Sequence, residues 1–219
     1  MEEPFETHGV RGILHRPDRA NGHALALTHG AGSNCKAPLL VRLAHAFEAA
    51  GYVVLRYDLP FRRLRAKGPP FPAQAERDRE GVACAAEALR EFVHGHLFLG
   101  GHSYGGRQSA MLAAARPEIA TALLLLSYPL HPPRKPEQLR TAFFPQLQLP
   151  ALFVHGTNDP FGSLEELRAA MGLISTRTDL LAVEGAGHDL GRAADLAVDV
   201  IARLEALASY PPAGGRMLS

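Results

Sequence analysis

Residues 97–115 constrain this chain more than any other stretch. An apolar run, Leu97-Phe98-Leu99, leads into Gly100-Gly101-His102-Ser103-Tyr104-Gly105-Gly106, and a helix-like run, Gln108 to Ala115, follows. A Gly-x-Ser-x-Gly pentapeptide between a strand and a helix is a sharp turn that lifts its serine out of the backbone, where a base can reach it. The glycines leave room for the tight turn and for the helix that crosses behind it. In a Gly-rich chain the pentapeptide alone is common, so the strand before it and the helix after it carry the argument.

The surrounding pattern supplies such a sheet. Ala24 to Thr28 reads as a strand ending in the loop His29-Gly30-Ala31-Gly32-Ser33. Pro38 to Ala49 reads as a helix, with Leu39, Leu40, Leu43 and Phe47 on one face and Gly51 as its stop. Strands are expected at Tyr52 to Tyr57, Leu97 to Leu99, Ala122 to Leu126, Ala151 to Val154 and Asp179 to Val183, with a weak edge strand at Gly12 to Leu14. Helices are expected at Gln74 to Val93, Tyr104 to Ala115, Ser163 to Met171 and Arg192 to Leu207. The third of these opens on a capping box, Ser163 with Glu166. Strands alternating with helices imply an α/β fold, with a mostly parallel sheet of about seven strands and helices on both faces.

The 219 residues suit one domain, expected over 1–210, with 211–219 as a C-terminal tail. The formal net charge is +1, which gives no global attraction to nucleic acid or to a membrane. The 11 histidines are scattered rather than set at metal-ligand spacing, and His94 with His96 reads as structural or solvent-facing. Neither a metal nor an organic cofactor is expected. Cys84 in an alanine-rich helix reads as buried, Cys35 after a loop as partly exposed, and the two make no disulfide framework. The acidic start, Met1-Glu2-Glu3-Pro4-Phe5, does not read as a signal peptide, and a cytoplasmic location is the default expectation.

Functional loops of such sheets lie outside the carboxyl ends of the strands. Three of them bring Ser103, Asp159 and His188 in chain order, each just after an expected strand. A serine hydroxyl needs a base, and the base needs an orienting acid. His188 is the expected base and Asp159 the acid. Asp189 is the rival acid, but a neighbour in sequence is poorly placed to clamp the ring from behind. An Asx turn is the other reading of Asp159. An oxyanion needs backbone N–H donors, expected from Tyr104, directly after the serine, and from Ala31 in the early Gly-rich loop. That loop lacks the third glycine of a dinucleotide fingerprint and the Gly-Lys-Ser/Thr of a phosphate loop.

These segments resemble the serine α/β-hydrolases, in particular the small capless members grouped with dienelactone hydrolases. The resemblance rests on Gly101-His102-Ser103-Tyr104-Gly105, on His155 to Gly162, on Gly185-Ala186-Gly187-His188 and on His29-Gly30-Ala31-Gly32, and it spans nearly the whole chain. A narrower likeness, to testis-expressed and chromatin-complex hydrolase-like proteins, rests on Arg56 to Arg63 and Ser127 to Pro133. The resemblance implies the α/β-hydrolase fold and acyl-transfer chemistry. Dienelactone hydrolases proper use a cysteine nucleophile where this chain has Ser103, so their substrate does not carry over.

Only Tyr128 to Pro150 separates two expected strands where relatives place a cap, so no large cap domain is expected. Phe61, Tyr128, His131 and Phe161 are candidates to line the pocket, with loop packing as the other reading. Arg62 and Arg63 begin the densest positive patch, which runs to Lys67. It reads either as a solvated loop or as a clamp for an anionic substrate or partner. The expected reaction is cleavage of a carboxylic ester or thioester through an acyl-enzyme, by a monomer or homodimer with a small-molecule acyl substrate. The rivals are a peptidase or acyltransferase on the same residues, and a silent binding or scaffold protein with this fold.

Overall fold

The computed structural model of the chain describes residues 1–7, 9–191 and 196–209. Eight strands form one sheet: β1 (Glu2–Thr7), β2 (Val10–His15), β3 (Ala24–Thr28), β4 (Val53–Asp58), β5 (Leu97–His102), β6 (Ala122–Leu126), β7 (Ala151–Gly156) and β8 (Thr178–Val183). Their order is β1-β2-β4-β3-β5-β6-β7-β8. β2 pairs antiparallel with both β1 and β4, and every other pairing is parallel. Among the described residues there are six α-helices: α1 (Pro38–Ala49), α2 (Pro60–Leu64), α3 (Ala75–Arg90), α4 (Tyr104–Ala115), α5 (Leu164–Met171) and α6 (Ala197–Ala208).

The central strands are buried on both faces, and the two-residue side-chain period divides them between two cores. In β3, Ala24 and Ala26 join one cluster, Leu25 and Leu27 the other. In β6, Leu123 and Leu125 join the first, Leu124 and Leu126 the second. The first cluster takes Val82 and Leu89 of α3, Ala110 of α4 and Leu167 of α5. The second takes Leu40 and Phe47 of α1 and Val200 and Leu204 of α6. Helices therefore cover both faces, and an all-apolar run such as Ala122–Leu126 is what a doubly covered parallel strand needs.

The helix at Pro38–Ala49 and the strand at Ala122–Leu126 have the expected bounds. The capping box forms: Ser163 Oγ accepts the Glu166 N–H at 3.2 Å, and Glu166 Oε2 accepts the Ser163 N–H at 2.8 Å. The differences lie at the margins. Gly12 to Leu14 is part of a six-residue strand, and it is not the edge, because β1 lies outside it. Glu2–Thr7 gave no apolar signal: it alternates between exposed and half-buried positions. Charges and a proline suit an edge strand that must not pair further. The helix read as Gln74 to Val93 is shorter, Ala75–Arg90. Cys35 is buried rather than partly exposed, and Cys84 is the half-buried one. Between β6 and β7 there is only a 3-10 turn, Phe144–Gln146. The expected tail at 211–219 and residues 192–195, where the last helix is expected to begin, lie outside the described residues; the helix described is Ala197–Ala208. Among the described residues, no helix is long and apolar enough to cross a membrane.

Two buried histidines tie the sheet to its loops as hydrogen-bond acceptors. Arg56 Nε donates to His15 Nε2 at 2.8 Å, and the Leu59 N–H donates to His29 Nε2 at 3.1 Å. A second proton on either ring would face a donor. Burial accordingly holds both rings below the ordinary value of 6.5. As pH falls below that value the unfolded chain takes up these protons first, so stability rises with pH across the window from the folded pKa values up to 6.5. The urea midpoint of unfolding is expected to drop on going from about pH 7 to about pH 5. A midpoint that stays level or rises over that interval contradicts this assignment.

Candidate active site

Six strands end on one rim, and the loops there come together. β5 delivers Ser103, whose N–H donates to the Leu126 carbonyl at the end of β6, 2.8 Å away. β7 delivers Asp159, and β8 delivers the loop that carries His188. The last two loops are tied by main-chain bonds: Thr157 N–H to Val183 O at 3.0 Å and Asn158 N–H to Ala186 O at 2.9 Å.

Ser103 sits at φ 51°, ψ −114°, a conformation costly for any residue with a Cβ. The turn is possible because helix α4 crosses very close behind it. A Cβ on Gly105 would stand 2.5 Å from the His29 carbonyl oxygen, so only glycine fits there.

The three side chains form one hydrogen-bonded line. His188 Nε2 is 2.8 Å from Ser103 Oγ, and His188 Nδ1 is 2.8 and 3.0 Å from the two Asp159 oxygens. Asp159 is 6% exposed. Burial alone would raise its carboxyl pKa, but the His188 hydrogen bond, the Phe161 N–H and nearby imidazoles outweigh it and hold the group below its usual range. An ionised carboxylate only accepts, so Nδ1 carries the ring proton and Nε2 is left to accept from the serine. That is the arrangement base activation of a hydroxyl requires. The Phe161 N–H also donates to Asp159 Oδ1 at 2.9 Å, so the Asx-turn reading of this residue holds as well. Asp189 is exposed, and its Oδ1 accepts the Gly191 N–H at 3.2 Å.

Tyr104 is the first residue of α4, so its N–H has no partner within the helix. Ala31 lies in a turn closed by the Ser33 N–H on the Gly30 carbonyl at 3.1 Å. That carbonyl is also 2.9 Å from His29 Nδ1, whose proton is left to it because Nε2 accepts. The peptide is planar, so a carbonyl pinned on one side aims the Ala31 N–H to the other.

Of the six pocket candidates, only Phe161 touches this line of residues: its ring centroid is 4.2 Å from that of His188. Phe61 and Tyr128 are 1% and 0% exposed and belong to the core. His131 is buried, and its N–H donates to the Phe161 carbonyl at 3.0 Å. Arg62 is not free to clamp a substrate, because main-chain carbonyls take up its guanidinium: Ser33 at 2.7 Å, Ala31 at 2.8 Å, and Arg65 and Gly68 at 3.0 Å. Arg63 is exposed and reaches the Gly9 carbonyl. A cavity of about 340 Å³ lies beside the site, between His29, Gly30, Leu39, Leu40, His102 and Asp189. A larger one, about 620 Å³, lies against β1 and β2, with Arg11, Lys36, Asp58 and Arg63 on its walls. Glu2, His15 and His45 come close enough to suggest a metal site. Arg56 already fills it, donating to His15 Nε2 and, at 2.9 Å, to Glu2 Oε1.

Two residues at the site were not singled out in the sequence. His102 Nε2 is 2.7 Å from the His188 carbonyl, which fixes the backbone of the loop. Burial keeps His102 below the usual imidazole range, although that carbonyl works the other way. Asp78, fully buried, accepts from the Phe61 N–H at 2.9 Å and from the Tyr104 hydroxyl at 2.8 Å. Its signal was available: Asp78 shares the helical face of Val82, Ala85, Ala86 and Leu89.

A family model described as an alpha/beta hydrolase domain matches residues 21–208. The chain belongs to the alpha/beta hydrolase family. Solved structures share this hydrolase fold at low identity. A protein of Thermus thermophilus is 21% identical, with a TM-score of 0.75 over 96% of this chain and 99% of that one. A dienelactone hydrolase from Anabaena variabilis is 21% identical, with a TM-score of 0.72 over 93% and 96%. An α/β serine hydrolase without a lid, from Xanthomonas campestris, is 17% identical, with a TM-score of 0.70 over 96% of both chains.

The backbone at Ser103 gives a test of this hydrolase's elbow. Ser103→Gly and Ser103→Ala both remove the hydroxyl, but only glycine relaxes the positive φ. The glycine variant is expected to be more stable than the alanine variant by about 1 kcal/mol in urea unfolding. Equal stabilities, or the usual penalty for glycine, would show that the turn is unstrained.

Proposed function

We propose that this alpha/beta hydrolase cleaves carboxylic esters or thioesters through a covalent acyl-serine. The observation that carries the reading is the unbroken line from Ser103 Oγ through His188 to Asp159, with contacts of 2.8 Å on either side of the ring. Ser103 Oγ attacks the carbonyl carbon while His188 Nε2 takes its proton. The negative charge that develops on the carbonyl oxygen is met by the N–H groups of Ala31 and Tyr104. The C–O or C–S bond then breaks, and His188 returns the proton to the leaving alcohol or thiol. Water, deprotonated by His188, releases the acid and restores Ser103. Asp159 holds the ring in the tautomer that accepts from serine and stabilises it once protonated. The lack of a cap domain between β6 and β7 leaves the site open from above, which favours substrates with short or medium acyl groups.

A fluorophosphonate probe is expected to label the wild type and to leave Ser103→Ala and His188→Ala unlabelled. Asp159→Asn is expected to keep the fold and to lower kcat on p-nitrophenyl acetate on the order of ten-thousand-fold, because the amide favours the wrong tautomer. A folded wild type that neither labels nor turns over the ester would remove the hydrolytic reading and favour a binding role.

A further inference from the structure

Arg62, the first cation of the positive patch after β4, is turned away from solvent and does not reach for a ligand. Arg62 is 5% exposed, and among the described residues no carboxylate lies within ion-pair distance of it. A buried cation without a counter-ion is expensive unless dipoles surround it. Here four carbonyl groups do so, and two of them, Ala31 and Ser33, belong to the turn that carries the Ala31 N–H. The same short helix, α2, also reaches the other proposed oxyanion donor. Its Phe61 N–H binds Asp78, and Asp78 in turn binds the hydroxyl of Tyr104, the residue after the nucleophile. The Phe61 ring meets Tyr104 edge-on at 5.7 Å. Beneath, α2 is pressed onto α3 so closely that a Cβ on Gly81 would lie 2.4 Å from Pro60 Cδ.

We propose that α2 is a brace for the oxyanion site, in which Arg62 and Asp78 are positioning residues that hold the Ala31 and Tyr104 N–H groups at one spacing. The proposal rests on the hydrolytic reading above. Neither residue touches the substrate. Arg62 acts through the carbonyls of residues 31 and 33, and Asp78 through the Tyr104 side chain, so an anionic substrate gains nothing from Arg62. The gain is preorganisation: donors already in place when charge develops on the carbonyl oxygen.

The test uses Arg62→Lys, which keeps the charge but not the fork, and Tyr104→Phe, which cuts the link to Asp78 and leaves the backbone N–H. Each is expected to lower kcat on p-nitrophenyl acetate roughly 10- to 100-fold with KM within about twofold, as slight misplacement of a reacting geometry does. Phenylboronic acid, whose adduct with serine mimics the tetrahedral state, should bind more weakly by the same factor in each variant. The double variant should lose less than the product of the two single losses, because both act on one unit. Thermal unfolding followed by circular dichroism gives the folded fraction for each sample. Wild-type kcat in both variants, a rise in KM alone, or a loss that only tracks the folded fraction would overturn the brace. A wild type inert to both the ester and a fluorophosphonate would overturn the hydrolytic reading, and the brace with it. An active wild type with unaffected variants overturns the brace alone.

Discussion

The structure turns on the backbone crossing at Ser103. Ser103, at φ 51°, stands between the end of β5 and the first residue of α4, and there the helix passes within atomic contact of the neighbouring loop. Gly105 against the His29 carbonyl is that contact. It does two things together. It sets Ser103 on the rim, and it brings the N-terminus of α4 against the loop after β3, so that a Cβ on Gly30 would stand 3.5 Å from that of Ser103. Strain at one residue is tolerated because the cores on both faces hold β5 and α4 in place.

Around that crossing, several buried polar groups satisfy one another. His29 joins the Leu59 N–H to the Gly30 carbonyl. His102 supports the His188 carbonyl from below, and Asp78 joins α2 to α4. Each group is costly to bury alone and inexpensive in company. The groups proposed as donors and base are therefore held by the fold itself before any ligand arrives.

Much of this was legible in the amino-acid order, for a physical reason. Apolar runs of strand length mark the doubly buried strands, and the loops that follow them must share one rim, so Ser103, Asp159 and His188 could be expected to meet. Local chemistry also sufficed for Pro38 at the start of α1 and for the Ser163–Glu166 cap. What remained hidden depends on contacts between distant segments. Arg62 looks like any solvated arginine until four carbonyls close around it. Phe61 and Tyr128 look like pocket walls because they sit on rim loops, yet they point inward to the core. β1 was missed because an edge strand alternating Glu with Phe and Thr has no apolar run to announce it. Cys35 follows a loop, but the Asp58 carboxylate takes its N–H at 2.8 Å and burial follows.

The most direct test of the account is the acyl intermediate itself. Enzyme at high concentration is mixed with p-nitrophenyl acetate, quenched in acid within the first turnover, and mapped by peptide mass spectrometry. The account predicts a burst of p-nitrophenol stoichiometric with protein, and an acetyl group on the Ser103 peptide that decays as turnover proceeds. Acetyl appearing only on lysines or on the chain terminus, or turnover that survives in Ser103→Ala, would contradict it.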